Sequence, residues 1–118
     1  MNRLYAAYGE QAEFFLIYIR EAHPQGSRRP DRQIRIAEPR TLAERSQVAG
    51  TCVADLGLSL PALIDDMADS TEEAYSSWPD RLFLVDRDGT LRWKSGPGPQ
   101  GFDPAALERE LERLFPKR

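Results

Sequence analysis

Apolar residues recur along this chain with two periods, and the change from one to the other marks out the elements. Leu4, Tyr5, Tyr8 and Ala12 fall at helical spacing, and Gly9 weakens that helix near its end. Phe14 to Ile19 is apolar on both parities and rich in β-formers, the pattern of a strand buried on both faces of an α/β sheet. His23 to Asp31 is full of breakers and reads as a loop. Thr41 and Glu44 have the spacing of a capping box. The helix they open has Leu42, Val48, Ala49, Cys52, Val53 and Leu56 as its inner stripe and Gly57 as its stop. Pro61 to Asp65 reads as a short strand, and Thr71 to Ser77 as one or two helical turns. Arg81 to Asp86 and Thr90 to Lys94 flank Asp88-Gly89, a strong hairpin signal. After a breaker-rich loop from Ser95 to Gly101, Asp103 caps a last helix. Pro104 stands in its first turn, and Leu107, Leu111, Leu114 and Phe115 lie on one face.

Composition narrows the function classes. The 118 residues fit one domain, 1–118, with no internal repeat. Sixteen Lys and Arg against nineteen Asp and Glu leave a net charge of -3, without the basic surplus a generic nucleic-acid binder needs. A single cysteine, Cys52, excludes an internal disulfide framework, a CxxC pair and a thiolate-rich metal site. The longest apolar run, Phe14 to Ile19, is far too short to span a bilayer. No signal layout or lipidation motif is present, so the expected location is cytoplasmic.

The order helix, strand, helix, short strand, turn, hairpin, helix is that of an α/β, thioredoxin-like fold lacking its first, central strand and most of its first helix. The expected architecture is a mixed sheet with flanking helices. Glu21-Ala22-His23-Pro24 follows directly on the apolar strand, at the carboxyl edge where α/β sheets bind ligands. His23 is the only histidine, and a neutral imidazole there can exchange a proton near pH 7. The plainer alternative is a loop histidine tied to a backbone carbonyl. Trp78-Pro79-Asp80-Arg81 precedes the hairpin strand, which should run antiparallel to Phe14–Ile19 and start at the same sheet edge as Glu21 and His23. In this fold a proline at such a position is commonly cis and presses backbone against a substrate groove. A trans proline merely opening a strand fits the local sequence equally well. Cys52 lies on an inner stripe and reads as a small hydrophobe. Asp65, Asp66 and Asp69 match no calcium-loop spacing and read as a solvated acidic turn. Arg28, Arg29, Arg32 and Arg35 read as a solvated loop, and Gly96 to Gly101 opens no phosphate-binding helix.

Several blocks together resemble the iodothyronine deiodinases, and most closely their bacterial deiodinase-like members. They are Tyr18-Ile19-Arg20-Glu21-Ala22-His23-Pro24, Arg45, Ile64-Asp65-Asp66-Met67, Ala74-Tyr75, Trp78 to Leu82, Gly96-Pro97-Gly98-Pro99 and Gly101-Phe102. The resemblance implies a thioredoxin-fold oxidoreductase that reductively removes iodine from an aryl ring with a selenocysteine or cysteine. It implies Glu21 and His23 flanking that nucleophile, with His23 contacting substrate or relaying a proton. Asp80 would match an acidic proton-relay residue, glutamate shortened to aspartate, and Trp78 and Pro79 would line the groove. It further implies a small aromatic or iodinated substrate, an external thiol reductant and no bound cofactor, and it leaves a homodimer open. The composition and spacing above add the expectation of no metal, no nucleic acid and no membrane segment in this chain. The chain also departs from the family. The nucleophile falls upstream of Met1, Pro39 stands where vertebrate members have a second histidine, and Pro97 where they have a hormone-clamping arginine. The tryptophan usual after the Glu-Ala-His-Pro block is replaced by Gln25-Gly26-Ser27-Arg28. The expectation is therefore an N-terminally truncated selenoprotein-family member, inactive as it stands, with a selenocysteine codon read as stop as one origin. The alternatives are a non-catalytic binding module and, at full length, a peroxiredoxin-like thiol enzyme.

Overall fold

Each predicted element that falls on described residues forms, but the strands are shorter than their apolar runs. The computed structural model describes residues 1–20 and 38–116, which alternate helices and short strands in an α/β arrangement. The chain divides into two compact units, Met1–Phe14 with Ser77–Arg118, and Phe15–Ser76.

The first unit holds α1 (Asn2–Tyr8), the third and fourth strands of the chain, β3 (Phe83–Val85) and β4 (Leu91–Lys94), and α4 (Pro104–Leu114). Helix α1 ends at Gly9, leaving Ala12 beyond it. Strands β3 and β4 pair antiparallel with Phe83 opposite Lys94, and an irregularity falls between Leu84 and Val85. The turn closes with the Gly89 N–H donating to the Asp86 carbonyl, and Gly89 has φ +86°. Helix α4 starts as its sequence dictates: the Asp103 carboxylate accepts from the Ala106 N–H and Pro104 occupies the first turn. The core is Leu4, Tyr8, Phe14, Leu82, Leu107 and Leu111. Tyr5 and Phe14 meet at 5.6 Å between ring centroids, and Arg3 holds Glu108 through two hydrogen bonds at 2.7 and 2.6 Å.

The second unit holds β1 (Leu16–Tyr18), α2 (Leu42–Leu56), β2 (Ala62–Ile64) and α3 (Ser70–Tyr75). Strands β1 and β2 pair in parallel, with Ile17 opposite Leu63, a β-α-β connection through α2. The expected burial of Phe14–Ile19 on both faces is corrected here. Only Leu16–Tyr18 pairs, and Phe15 and Ile17 are 56% and 40% exposed. The reason is one-sided cover: Phe15 and Ile17 project to one face, which is left open, while Phe14, Leu16 and Tyr18 on the other are buried or half-buried. Among the described residues β1 has a ladder only to β2, and β3 only to β4. The inner stripe of α2 is corrected too. Thr41 Oγ1 accepts from the Glu44 N–H at 3.1 Å and Gly57 ends the helix, as expected. Ala49 is buried, but Leu42 and Leu56 are exposed, and the residue buried one turn before Ala49 is Arg45.

Candidate functional site

The segment from Ser77 to Leu82, which leads into β3, carries three of the candidate residues. Trp78 is 42% exposed, Pro79 is half-buried, Asp80 is exposed and the Trp78–Pro79 peptide is cis. Ser77 Oγ and Arg81 Nε, on either side, are buried with no hydrogen-bond partner among the described residues. The hairpin register carries on past β3 and β4 into this segment. The Ser95 N–H donates to the Leu82 carbonyl at 2.9 Å, and the Leu82 N–H donates to Ser95 Oγ at 3.0 Å. Ser95 is buried, and its hydroxyl donates to the Gly96 carbonyl at 2.8 Å. Further out, the Gly98 N–H donates to the Asp80 carbonyl and the Gly101 N–H to the Pro97 carbonyl, both at 2.9 Å. The Ser95–Gly101 loop is thus stitched to residues 80–82 by backbone bonds. Serine and glycine suit this place because small residues let two backbones approach.

Glu21 and His23 lie outside the described residues, as do Pro24, Arg28, Arg29, Arg32 and Arg35. Their expected convergence with Pro79 is therefore not described either. Cys52 is half-buried on α2 and forms no disulfide. Pro39, where a second histidine was sought, is buried just before α2. An open cleft of about 370 Å³ in the first unit is lined by Arg3, Tyr8, Gln11, Glu108 and Phe115 among others, and none of the candidate residues lines it.

The acidic turn of the second unit is a built structure, which corrects its reading as merely solvated. Asp65 is only 3% exposed. Its Oδ1 accepts from the Asp66 and Thr71 N–H groups and its Oδ2 from the Glu72 N–H, all near 3.0 Å. Burial by itself would raise this carboxyl's pKa, but bonds from Glu72, Thr71 and Asp66 outweigh it and hold Asp65 below the usual carboxylate value. The Ser70 N–H and hydroxyl likewise hold the exposed Asp66 below it. Arg45, 2% exposed, reaches over from α2. One terminal nitrogen donates to the Asp65 and Asp66 carbonyls at 3.3 and 2.7 Å, and the other to Asp69 Oδ1 at 3.0 Å. Arg20, just after β1, donates to Glu72 Oε1 at 2.5 Å, and that bond raises the guanidinium's pKa. These carboxylate and guanidinium groups are held by partners inside the unit, although Arg45 Nε is buried with no hydrogen-bond partner among the described residues. They form a clamp that shapes the β2–α3 corner.

The contacts of Arg45, Ser95 and Gly98 are not predicted from the sequence, where Arg45 and Gly98 enter only through the family resemblance. Arg45 sits three residues after Leu42 and four before Ala49, so a charge on the apolar stripe was the available signal. Ser95 and Gly98 could have been placed by counting the hairpin outward from Asp88-Gly89, which sets Ser95 opposite Leu82.

Fold and site together define an α/β protein with an aromatic-proline-acid segment at the start of a hairpin, stitched to a glycine-proline loop. The comparisons with known proteins carry this to a family. The family described as iodothyronine deiodinase matches residues 1–115, and the chain belongs to it. Thyroxine 5-deiodinase of Homo sapiens is 35% identical over 114 residues, covering 95% of this chain and 36% of the relative. Thyroxine 5-deiodinase of Ovis aries is 34% identical over 114 residues, covering 95% and 38%. That of Sparus aurata is 32% identical over 113 residues, covering 95% and 42%. The chain therefore spans about two fifths of the length of these relatives. Among the described residues, no helix is long and apolar enough to cross a membrane.

Proposed function

We propose that this chain is the substrate-side portion of a reductive deiodinase of thioredoxin-like fold, acting on iodinated aromatic rings. The family match over residues 1–115 carries this reading. The reaction class balances as aryl iodide plus two thiols giving the arene, a disulfide, iodide and a proton. The ring must therefore gain a proton where it loses iodine. Asp80, exposed beside Trp78 and Pro79, takes part in the proton relay in this reading, and Glu21 and His23 complete the acid-base set. Trp78 offers an exposed aromatic face against which an iodinated ring can stack.

The nucleophile belongs to a selenocysteine or cysteine outside these 118 residues. Cys52, the only cysteine, lies half-buried within α2 and is read there as a small hydrophobe. A thioredoxin-like fold is supported by the β1-α2-β2 unit, a parallel strand pair joined through a helix. An external thiol serves as reductant.

Titration of 2,6-diiodophenol into the chain tests the reading. Iodine quenches tryptophan fluorescence on contact, so saturable quenching is expected, and Trp78→Phe should remove it while Trp93→Phe does not. Equal quenching by 2,6-dimethylphenol, or full quenching in Trp78→Phe, would count against it. With dithiothreitol present, no iodide should be released. Release abolished by Cys52→Ala would place the nucleophile inside the chain and overturn that part.

A further inference from the structure

We propose that the loop from Ser95 to Gly101 is a brace that positions the Asp80 carboxylate, with Gly98 as the positioning residue. The observation is a contact that only glycine permits. A Cβ built on Gly98 would stand 1.5 Å from Asp80 Oδ1, 2.5 Å from its Cγ and 2.9 Å from Oδ2. The same residue grips the backbone beneath, since its N–H donates to the Asp80 carbonyl. Gly98 thus fixes where residue 80 starts and leaves open the volume in which its carboxylate stands.

The brace is pinned by hydrogen bonds and a close backbone approach. Two bonds join Leu82 to the buried Ser95, and the Ser95 hydroxyl turns back onto Gly96. Gly101 lies against Gly96 so closely that a Cβ on Gly101 would meet the Gly96 carbonyl carbon at 2.4 Å. The two close approaches differ in what must yield. At Gly101 the obstacle is backbone, so a side chain there must deform the loop. At Gly98 it is the far end of an exposed side chain that can move to another rotamer, so an added Cβ displaces the carboxylate and the loop stays. Gly98 therefore governs the placement of one functional group at little cost to the fold. This pattern separates a positioning residue from a structural one. The meaning of that placement for proton delivery rests on the deiodinase reading above; the brace does not.

The experiment uses the 118-residue chain labelled with ¹³C, following the Asp80 carboxyl resonance at fixed pH, assigned by its loss in Asp80→Asn. Gly98→Ala should move that resonance well beyond the change caused by Gly50→Ala, whose added Cβ meets nothing within 4 Å. Its melting temperature should stay near that of the parent, while Gly101→Ala melts clearly lower. An Asp80 resonance as undisturbed in Gly98→Ala as in Gly50→Ala would overturn the proposal. So would a Gly98→Ala chain that melts as low as Gly101→Ala with resonances shifted throughout. Adding 2,6-diiodophenol separates the two claims. If Gly98→Ala displaces the carboxyl signal but the phenol leaves it untouched in the parent chain, the brace stands and the deiodinase reading falls.

Discussion

Removing the Arg45 guanidinium tests the clamp at the β2–α3 corner. Arg45→Ala deletes three hydrogen bonds, to the Asp65 and Asp66 carbonyls and to Asp69 Oδ1, from a side chain 2% exposed. Truncating one partner of a buried, hydrogen-bonded ionic group costs about 3–5 kcal/mol, because the groups left behind have lost both water and partner. Against a total stability of about 5–15 kcal/mol for a domain of this size, that is a large fraction. Two further variants separate the contributions. Arg45→Lys keeps the charge but cannot span both carbonyls and Asp69 with a single ammonium, and should lose about 1–3 kcal/mol. Arg45→Met fills much of the volume and removes the desolvation cost of the cation, so it should fall between Lys and Ala. Urea denaturation followed by circular dichroism at pH 7 reads all three as midpoints at constant slope. The reasoning fails if Arg45→Ala unfolds within about 0.5 kcal/mol of the parent, the range of an ordinary surface substitution. It fails equally if Met proves worse than Ala, since both leave the same carbonyls unpaired and filling the volume would then bring no gain.

Asp65→Asn should destabilise by about 2–4 kcal/mol at pH 7, since an amide cannot accept from all three of the Asp66, Thr71 and Glu72 N–H groups. The folded pKa of Asp65 lies below its ordinary value of 3.8, so its stabilisation is complete above that value and is lost as the pH falls through it and below. Urea midpoints of parent and Asp65→Asn should therefore converge on acidification from pH 5, and a gap that stays constant down to pH 2.5 would count against the assignment. Gly89→Ala meets no neighbour within 4 Å but must hold φ near +86°. It should cost about 1–2 kcal/mol through the backbone alone, read by the same melts, and Gly89→Asn should cost less.

The helix ends were legible because their signals are local. Thr41 caps α2 through a bond three residues away, Asp103 and Pro104 open α4 in the same manner, and each needs no knowledge of the rest of the chain. The β3–β4 hairpin followed from Asp88-Gly89 for the same reason. What failed depends on neighbours. The run Phe14–Ile19 has the composition of a doubly covered strand, yet the burial of a strand is decided by what pairs with it and covers it. Phe15 and Ile17 share the face that is left open, and they remain exposed whatever their intrinsic preference. Leu42 and Leu56 lie on the apolar side of α2, but the buried stretch of that helix is its middle, at Arg45 and Ala49.

The candidate site divides along the same line. Its residue types could be read from the sequence, because an aromatic, a proline and a carboxylate before a strand are visible in a row. The constraint on them could not, because it comes from residues 95–98 and exists only once β3 and β4 have paired. That pairing brings Ser95 to Leu82, and the bonds there bring Gly98 onto Asp80. The carboxylate's position is therefore a property of the hairpin register. A one-residue slip of β4 would turn every side chain of that strand to the other face and carry Gly98 off Asp80. The glycines and prolines of residues 96–101 thus belong to the site although none of them carries a titratable group. Their contribution is to hold backbone where a carboxylate on the opposite strand needs space, and it disappears with the first side chain placed at 98.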